Sequence, residues 1–577
     1  VLFFKGYICS KLLMMKNLLS LILIFVFLTS CSTLSRKREN SKLKSEIKET
    51  LLTYTAKQEA PKLVVGIVVD QMRYDYLTRF YSRYGNGGFK RLMNDGYNLT
   101  NNHYNFVPTY TAPGHASIYT GTSPMNHGII GNNWYDKMED KVIYNASDKD
   151  YTGVGTDSED GKMSPRKMLT STVTDQLELH TQGKAKVIGI SIKDRGAILP
   201  AGHAADAAYW FEGGDRGNFI SSTFYMQQLP QWVSDFNTSK KADHYLKTWN
   251  TLYPLETYTA SGPDLNDFEK APKGKETATF PYDLNNLRGE NGNYSLIKGT
   301  PYGNSIVADF AVEALKKEEM GKDEITDFLA VSFSSTDYIG HQYGVNSVEI
   351  EDTYLRLDLD IERLLNALDQ EVGNGNYTVF LTADHGAVHN PAYLQSKRVN
   401  SGYFSRSNFE KQLNKDLKTM YNQEDLISNI SNDQIFFNKE NVRKNKINPI
   451  DLENFIATLI IDYVHIDKVY TRNALVSGIQ ADGTGRLIQN GFHHKRSGDV
   501  IFVLEPAVIS YSKTGSTHGS SQSYDTHVPL LFYGNGIRKS SSSKRTEIID
   551  IAPTISSLLK ISFPNGATGN PISEVLK

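Results

Sequence analysis

The stretch Lys62-Leu-Val-Val-Gly-Ile-Val-Val-Asp70 is an unbroken apolar run closed by an acid. A strand with one wet face alternates polar and apolar side chains, so a short run without alternation belongs to a strand covered on both faces, as in a parallel sheet. Working outward, similar runs recur at residues 185–192, 327–333, 377–381 and 528–533, each bounded by polar residues. Helical periodicity separates them, as at residues 305–315 and 349–365. This alternation predicts an α/β fold with a central, mostly parallel sheet flanked by helices on both faces. Two stretches break the pattern. Residues 205–300 are rich in Tyr, Trp, Asn and Gly, and residues 390–500 hold charged helical segments joined by a Gly-rich link at Gly483 to Gly485. Both are expected to be insertions that cap a catalytic face, and no internal repeat is visible.

The chain has 577 residues, 39% hydrophobic and 22% charged, with a formal charge of -2. There is no basic excess, so nucleic acid is not expected as the main partner. Both cysteines, Cys9 and Cys31, lie at the N-terminus. A thiolate metal site or cysteine nucleophile in the folded body is thereby excluded, and the chemistry falls to oxygen and nitrogen.

In an open α/β sheet, ligands sit beyond the carboxyl ends of the strands. The polar residues there are acids and imidazoles. The first run ends in Asp70. The run at 327–333 is followed by Ser334-Ser-Thr-Asp337-Tyr-Ile-Gly-His341, and that at 377–381 by Thr382-Ala-Asp384-His385-Gly386. Asp and His without Cys are the ligand types of catalytic zinc, and their number is enough for two ions. A nucleophile is available in Tyr110-Thr111-Ala-Pro113-Gly-His, a hydroxyl set just before a helix expected to start at the proline. On local sequence alone Thr111 reads rather as a helix-capping residue. As a nucleophile it would hold a phosphoryl group against the positive end of the helix.

These motifs, with the late Ser516-Thr-His518-Gly519, stand in the order of the alkaline phosphatase superfamily. The chain resembles in particular the phosphate-irrepressible periplasmic alkaline phosphatases, over about residues 62–577 and including the closing Ile549-Asp-Ile-Ala-Pro-Thr-Ile555 segment. The resemblance implies two Zn²⁺ ions, one held by Asp337, His341 and His518, the other by Asp70, Thr111, Asp384 and His385. It implies that Asn132, Lys193 and Arg195 bind phosphate oxygens and that phosphate monoesters are hydrolysed through a phosphothreonine at Thr111. His527, near His518, is expected to pack rather than ligate, and His115, His127 and His389 are expected to be structural.

A phosphodiesterase or nucleotide pyrophosphatase of the same superfamily is the nearest rival, since it shares the ligands. A non-catalytic surface lipoprotein is the rival from another class. A sulfatase is disfavoured by the lack of a Cys/Ser-x-Pro-x-Arg motif around residue 111, and a phosphoglycerate mutase relative by the threonine.

Met15-Lys-Asn followed by LLSLILIFVFLTS and Cys31 has the basic head and short apolar core of a signal peptide. Leu28-Thr-Ser-Cys31 resembles a lipobox, so residues 1–31 are expected to be a leader and residues 32–61 a polar tether. The expected location is the periplasm, or the bacterial envelope facing it through a lipid on Cys31. Membrane contact is expected only through that lipid.

Overall fold

A computed structural model describes residues 60–577, which form one compact unit. The leader and most of the tether lie outside the described residues. The strands that build the site are β1 (Leu63–Val69), β2 (Val187–Ser191), β3 (Ala207–Glu212), β4 (Asp327–Phe333), β5 (Tyr377–Thr382) and β6 (Leu530–Gly534). They lie in the order β6-β5-β1-β4-β2-β3 inside a ten-stranded sheet.

Every residue of β1 is buried, as its unbroken apolar run requires. It pairs in parallel with β4 on one side and β5 on the other, with Val68 opposite both Ser332 and Thr382. The strands therefore end at one level.

Small residues let helices approach one face. Gly66 pairs with Ala330, which pairs with Gly189. A Cβ at Gly66 would stand 2.4 Å from the Tyr119 hydroxyl, and one at Gly189 would stand 2.2 Å from the Ala197 carbonyl. Those contacts come from α1 (Thr111–Thr120) and α2 (Asp194–Ala201), which pack together there. Helix Pro301–Lys317 also packs with the sheet, and Val348–Leu368 packs on that helix; the two cover the periodic segments of the sequence.

Three expectations change. The run at 528–533 forms β6, which is antiparallel to β5 and begins only after Pro529, a residue without the N–H that a ladder needs. The stretch from 205 does not leave the sheet at once: Ala207–Glu212 is wholly buried and parallel to β2, and Asn218–Ser222 returns beside it. Gly483 opens a helix, Gly483–Gly491, rather than a link. Within the second stretch, Ile427–Ser431, Gln434–Phe437, Val500–Leu504 and Ile466–Thr471 make a separate four-stranded sheet with an apolar core of its own, including Leu413, Ile456 and Phe502.

Candidate active site

The level strand ends fix where the polar residues fall. Asp70 is the first residue beyond β1, Lys193 the second beyond β2 and Asp384 the second beyond β5. Asp337 and His341 stand one turn apart on α3 (Ser335–Tyr343), the helix that follows β4, and so share one helix face. His518 arrives from a loop. Ligand atoms of Asp337, His341 and His518 lie within 4.8 Å of one another, as do those of Asp70, Asp384 and His385.

The three imidazoles are oriented alike. Nδ1 faces a backbone carbonyl in each: Ser516 for His341 at 2.8 Å, Gly386 for His385 at 3.0 Å, and Thr109 for His518 at 2.7 Å. A carbonyl only accepts, so Nδ1 carries the proton and Nε2 presents its lone pair, the arrangement found behind metal-ligating histidines. Burial lowers His385 to about 3 and carries His518 well below its usual value, which keeps both neutral. His341 moves the other way: burial opposes its charge, but Asp337, 3.2 Å from Nε2, outweighs it.

The group of Asp70, Asp384 and His385 cannot satisfy itself. Asp70 Oδ1, Asp384 Oδ2 and His385 Nε2 are all buried without a hydrogen-bond partner. Burial, then the neighbouring Asp70, pushes Asp384 well above the carboxylate range. Two acids and a lone pair converging in a dry site repel one another, and a divalent cation would relieve all three. The donor set thus fits a metal of the zinc type.

Lys193 joins the groups, with Nζ 2.8 Å from Asp70 Oδ2 and 2.5 Å from Asp337 Oδ2. Burial would lower its pKa, yet these two acids hold it above the ordinary lysine value. Asp337 stays well below the usual range because His341 and Lys193 outweigh its burial. Arg195 lies beside the Tyr144 hydroxyl at 3.2 Å, and its buried Nε has no partner.

Thr111 is the first residue of α1 rather than the residue before it; Tyr110 occupies the cap position and no side chain caps the helix. Pro113 is the third helical residue. The capping alternative is thus removed. Thr111 is nearly fully buried and held from both sides. Thr109 accepts from His518, while His115 Nδ1 bonds the Thr111 carbonyl at 2.9 Å and stands 3.4 Å from Asp384 Oδ2. Gly114 permits this approach, since a Cβ there would meet the Asp384 carbonyl at 2.4 Å. Asn132 accepts from Ala112 N at 2.9 Å, which fixes its carbonyl and leaves its amide N–H groups with no protein partner among the described residues.

His527 is stacked between Tyr74 and His103, outside both groups, as expected of a packing residue. His127 bonds Ser117 Oγ and His389 bonds Asn346. Two contributors escaped the sequence reading. Gln71 donates from Nε2 to Asp337 and from its backbone N to Asp384, so it ties the two groups together. It does so at φ 61°, a conformation that costs a non-glycine residue of order 1–3 kcal/mol. Its place directly after Asp70 was the available signal. Tyr144 donates to Asp194 and contacts Arg195, and no local pattern marks it.

The type I phosphodiesterase / nucleotide pyrophosphatase family matches residues 64–528. The chain is 45% identical over 520 residues to alkaline phosphatase PafA of Elizabethkingia meningoseptica, covering 89% of this chain and 94% of PafA. It belongs to the PafA-like alkaline phosphatases. A protein of Myroides odoratus named calcium-transporting ATPase is 48% identical over 530 residues, covering 90% of this chain and 96% of that one. The crystal structure of wild-type PafA superposes with a TM-score of 0.87 at 45% identity, covering 90% of this chain and 99% of that one. A second PafA structure carries substitutions at one threonine, one asparagine, one lysine and one arginine. This membership fits the central sheet and the flanking helices. No described helix is long and apolar enough to cross a membrane.

Proposed function

We propose that this alkaline phosphatase hydrolyses phosphate monoesters by attack of the Thr111 hydroxyl on phosphorus, through a phosphothreonine. The observation that carries this is the pinning of Thr111 between the two metal-type groups, through Thr109 to His518 on one side and His115 to Asp384 on the other. Asp337, His341 and His518 would hold one Zn²⁺, and Asp70, Asp384 and His385, with Thr111, the other. Such ions, when bound, supply Lewis-acid charge stabilisation and make a hydroxyl available as a nucleophile near neutral pH.

The chain's own groups do the rest. The N-terminal turn of α1 directs its positive dipole end at the phosphoryl position, while its Ala112 N–H is held by Asn132 and its Gly114 N–H by the Tyr110 carbonyl. Asn132 offers its free amide, and Arg195 a guanidinium edge for an equatorial oxygen. Lys193 places a fixed positive charge between the groups, which favours a dianionic monoester over a monoanionic diester. The four substituted PafA residues support these assignments, because the threonine-to-asparagine and lysine-to-arginine spacings there equal those of Thr111 to Asn132 and Lys193 to Arg195.

Thr111→Ala should lower kcat/KM for p-nitrophenyl phosphate by at least roughly 1,000-fold with metal content unchanged, as expected for loss of a nucleophile. Near-native turnover would remove Thr111 from this role. Phosphodiester hydrolysis is the second reading, favoured by the description of the matching family. A larger kcat/KM for p-nitrophenyl phosphate than for its bis-ester supports the monoesterase; the reverse order supports the diesterase. Export with acylation at Cys31 completes the proposal, and incorporation of a labelled fatty acid that is lost in Cys31→Ala would support it.

A further inference from the structure

Beside the site lies a cavity of about 120 Å³ between the central domain and the separate four-stranded sheet. Tyr110 and His518 line it, so it adjoins the metal-type group and the residue preceding Thr111. Its walls include Val107, Phe502, Val508 and Ile509. The lining also carries polar groups, among them Glu505, Ser520 and Ser521, and a tight hairpin tip, Asn432 and Asp433, both at positive φ between the antiparallel strands Ile427–Ser431 and Gln434–Phe437. This tip reaches the site directly. Asn432 Nδ2 donates to the Asn133 carbonyl at 2.7 Å, one residue from Asn132. Arg406 lines the same cavity, 3.5 Å from Asp433.

We infer that this cavity is the subsite for the alcohol part of the ester, and that it selects monoesters whose alcohol carries one apolar six-membered ring. The inference rests on the monoesterase reading and adds its substrate class. Three observations favour a ring. The volume is of the order that holds a single benzene-sized group. Aliphatic side chains from both domains form part of its sides. Two flat groups, the Tyr110 phenol and the Arg406 guanidinium, stand among its lining and can stack on a ring face.

Ethyl phosphate and 2-phenylethyl phosphate have alcohols of similar acidity, so their kcat/KM ratio reads the subsite rather than the leaving group. The native enzyme should favour the phenylethyl ester by tenfold or more. Ser510→Trp, which adds bulk to the lining, should reduce that preference to less than threefold while ethyl phosphate turnover stays within twofold of native. Arg406→Ala, at a partly exposed position, should reduce it by threefold or more and guards against misfolding of the first variant. An unchanged ratio in both variants, or glucose 6-phosphate outrunning the phenylethyl ester in the native enzyme, overturns the subsite. Failure of every monoester to react would instead overturn the monoesterase reading.

Discussion

At the amino ends of the sheet strands, Asp327 accepts backbone N–H bonds from Lys186 at 2.8 Å and Gly321 at 2.7 Å, and Asp206 accepts one from Val187 at 2.8 Å. At the carboxyl ends, Asp70 and Asp384 each keep a buried oxygen with no partner. The residue type and the sheet are shared, and Asp327 is buried as Asp70 and Asp384 are. What differs is the supply of N–H groups, and the contrast separates a structural carboxylate from one reserved for binding. A buried acid tied to the backbone has done its work by closing a strand end. A buried acid left open destabilises the free protein and persists because something it binds repays the cost.

The largest break in this comparison should come at the carboxyl edge. Arg195→Ala is expected to lower kcat/KM for a phosphate monoester by roughly 100- to 1,000-fold, the range for losing one donor to developing charge. The loss for a phosphodiester should be at least tenfold smaller. Equal losses for both substrates would remove Arg195 from monoester discrimination.

At the amino edge the consequence should be stability alone. Asn at 327 can accept through only one atom, so Asp327→Asn leaves a backbone N–H of Lys186 or Gly321 unpaired and should cost about 1–3 kcal/mol. Denaturant melts would read that loss, and kcat/KM should stay within twofold of native. A drop in activity without a drop in stability would show that the edges are not distinct.

The smallest effect is one of pH. Glu178 lies by Asp206 and Asp327 at the same amino edge, and burial, then those two acids, raises it to about 8. A pKa raised on folding means that the native state takes up a proton. The associated stability is complete below about pH 4.5, falls as pH rises, and is gone above about 8. Glu178→Gln should therefore flatten the decline in Tm between pH 5 and 9 by about 1–3 °C. An identical pH dependence in the variant and native proteins would place the group outside this balance.

Much of the site was legible because it ends apolar runs: Asp70 and Asp384 follow strands whose burial on both faces leaves no alternation, whereas Lys193 was marked only by the family resemblance. Asp337 and His341 were legible as the acid and imidazole that follow the apolar run at 327–333. The antiparallel sense of β6 was not, because an unbroken apolar run specifies burial but not direction. Ala207–Glu212 was passed over for a related reason: a strand carrying Tyr and Trp among small residues reads as composition rather than as periodicity. Thr111 illustrates the limit most clearly. A hydroxyl two residues before a proline suits a cap in the sequence, and the helix start at Thr111 itself removes that reading without by itself assigning the proposed role as nucleophile. Gln71 and Tyr144 act through contacts that no spacing encodes.

Metal content is the direct measure of the contrast between the edges. Elemental analysis of purified native protein, Asp70→Asn and Asp327→Asn should give about two zinc equivalents in the native chain and in Asp327→Asn, but about one or fewer in Asp70→Asn. A native chain without bound divalent metal, or an Asp70→Asn chain that keeps the full complement, would contradict the assignment of the carboxyl-edge acids as metal ligands.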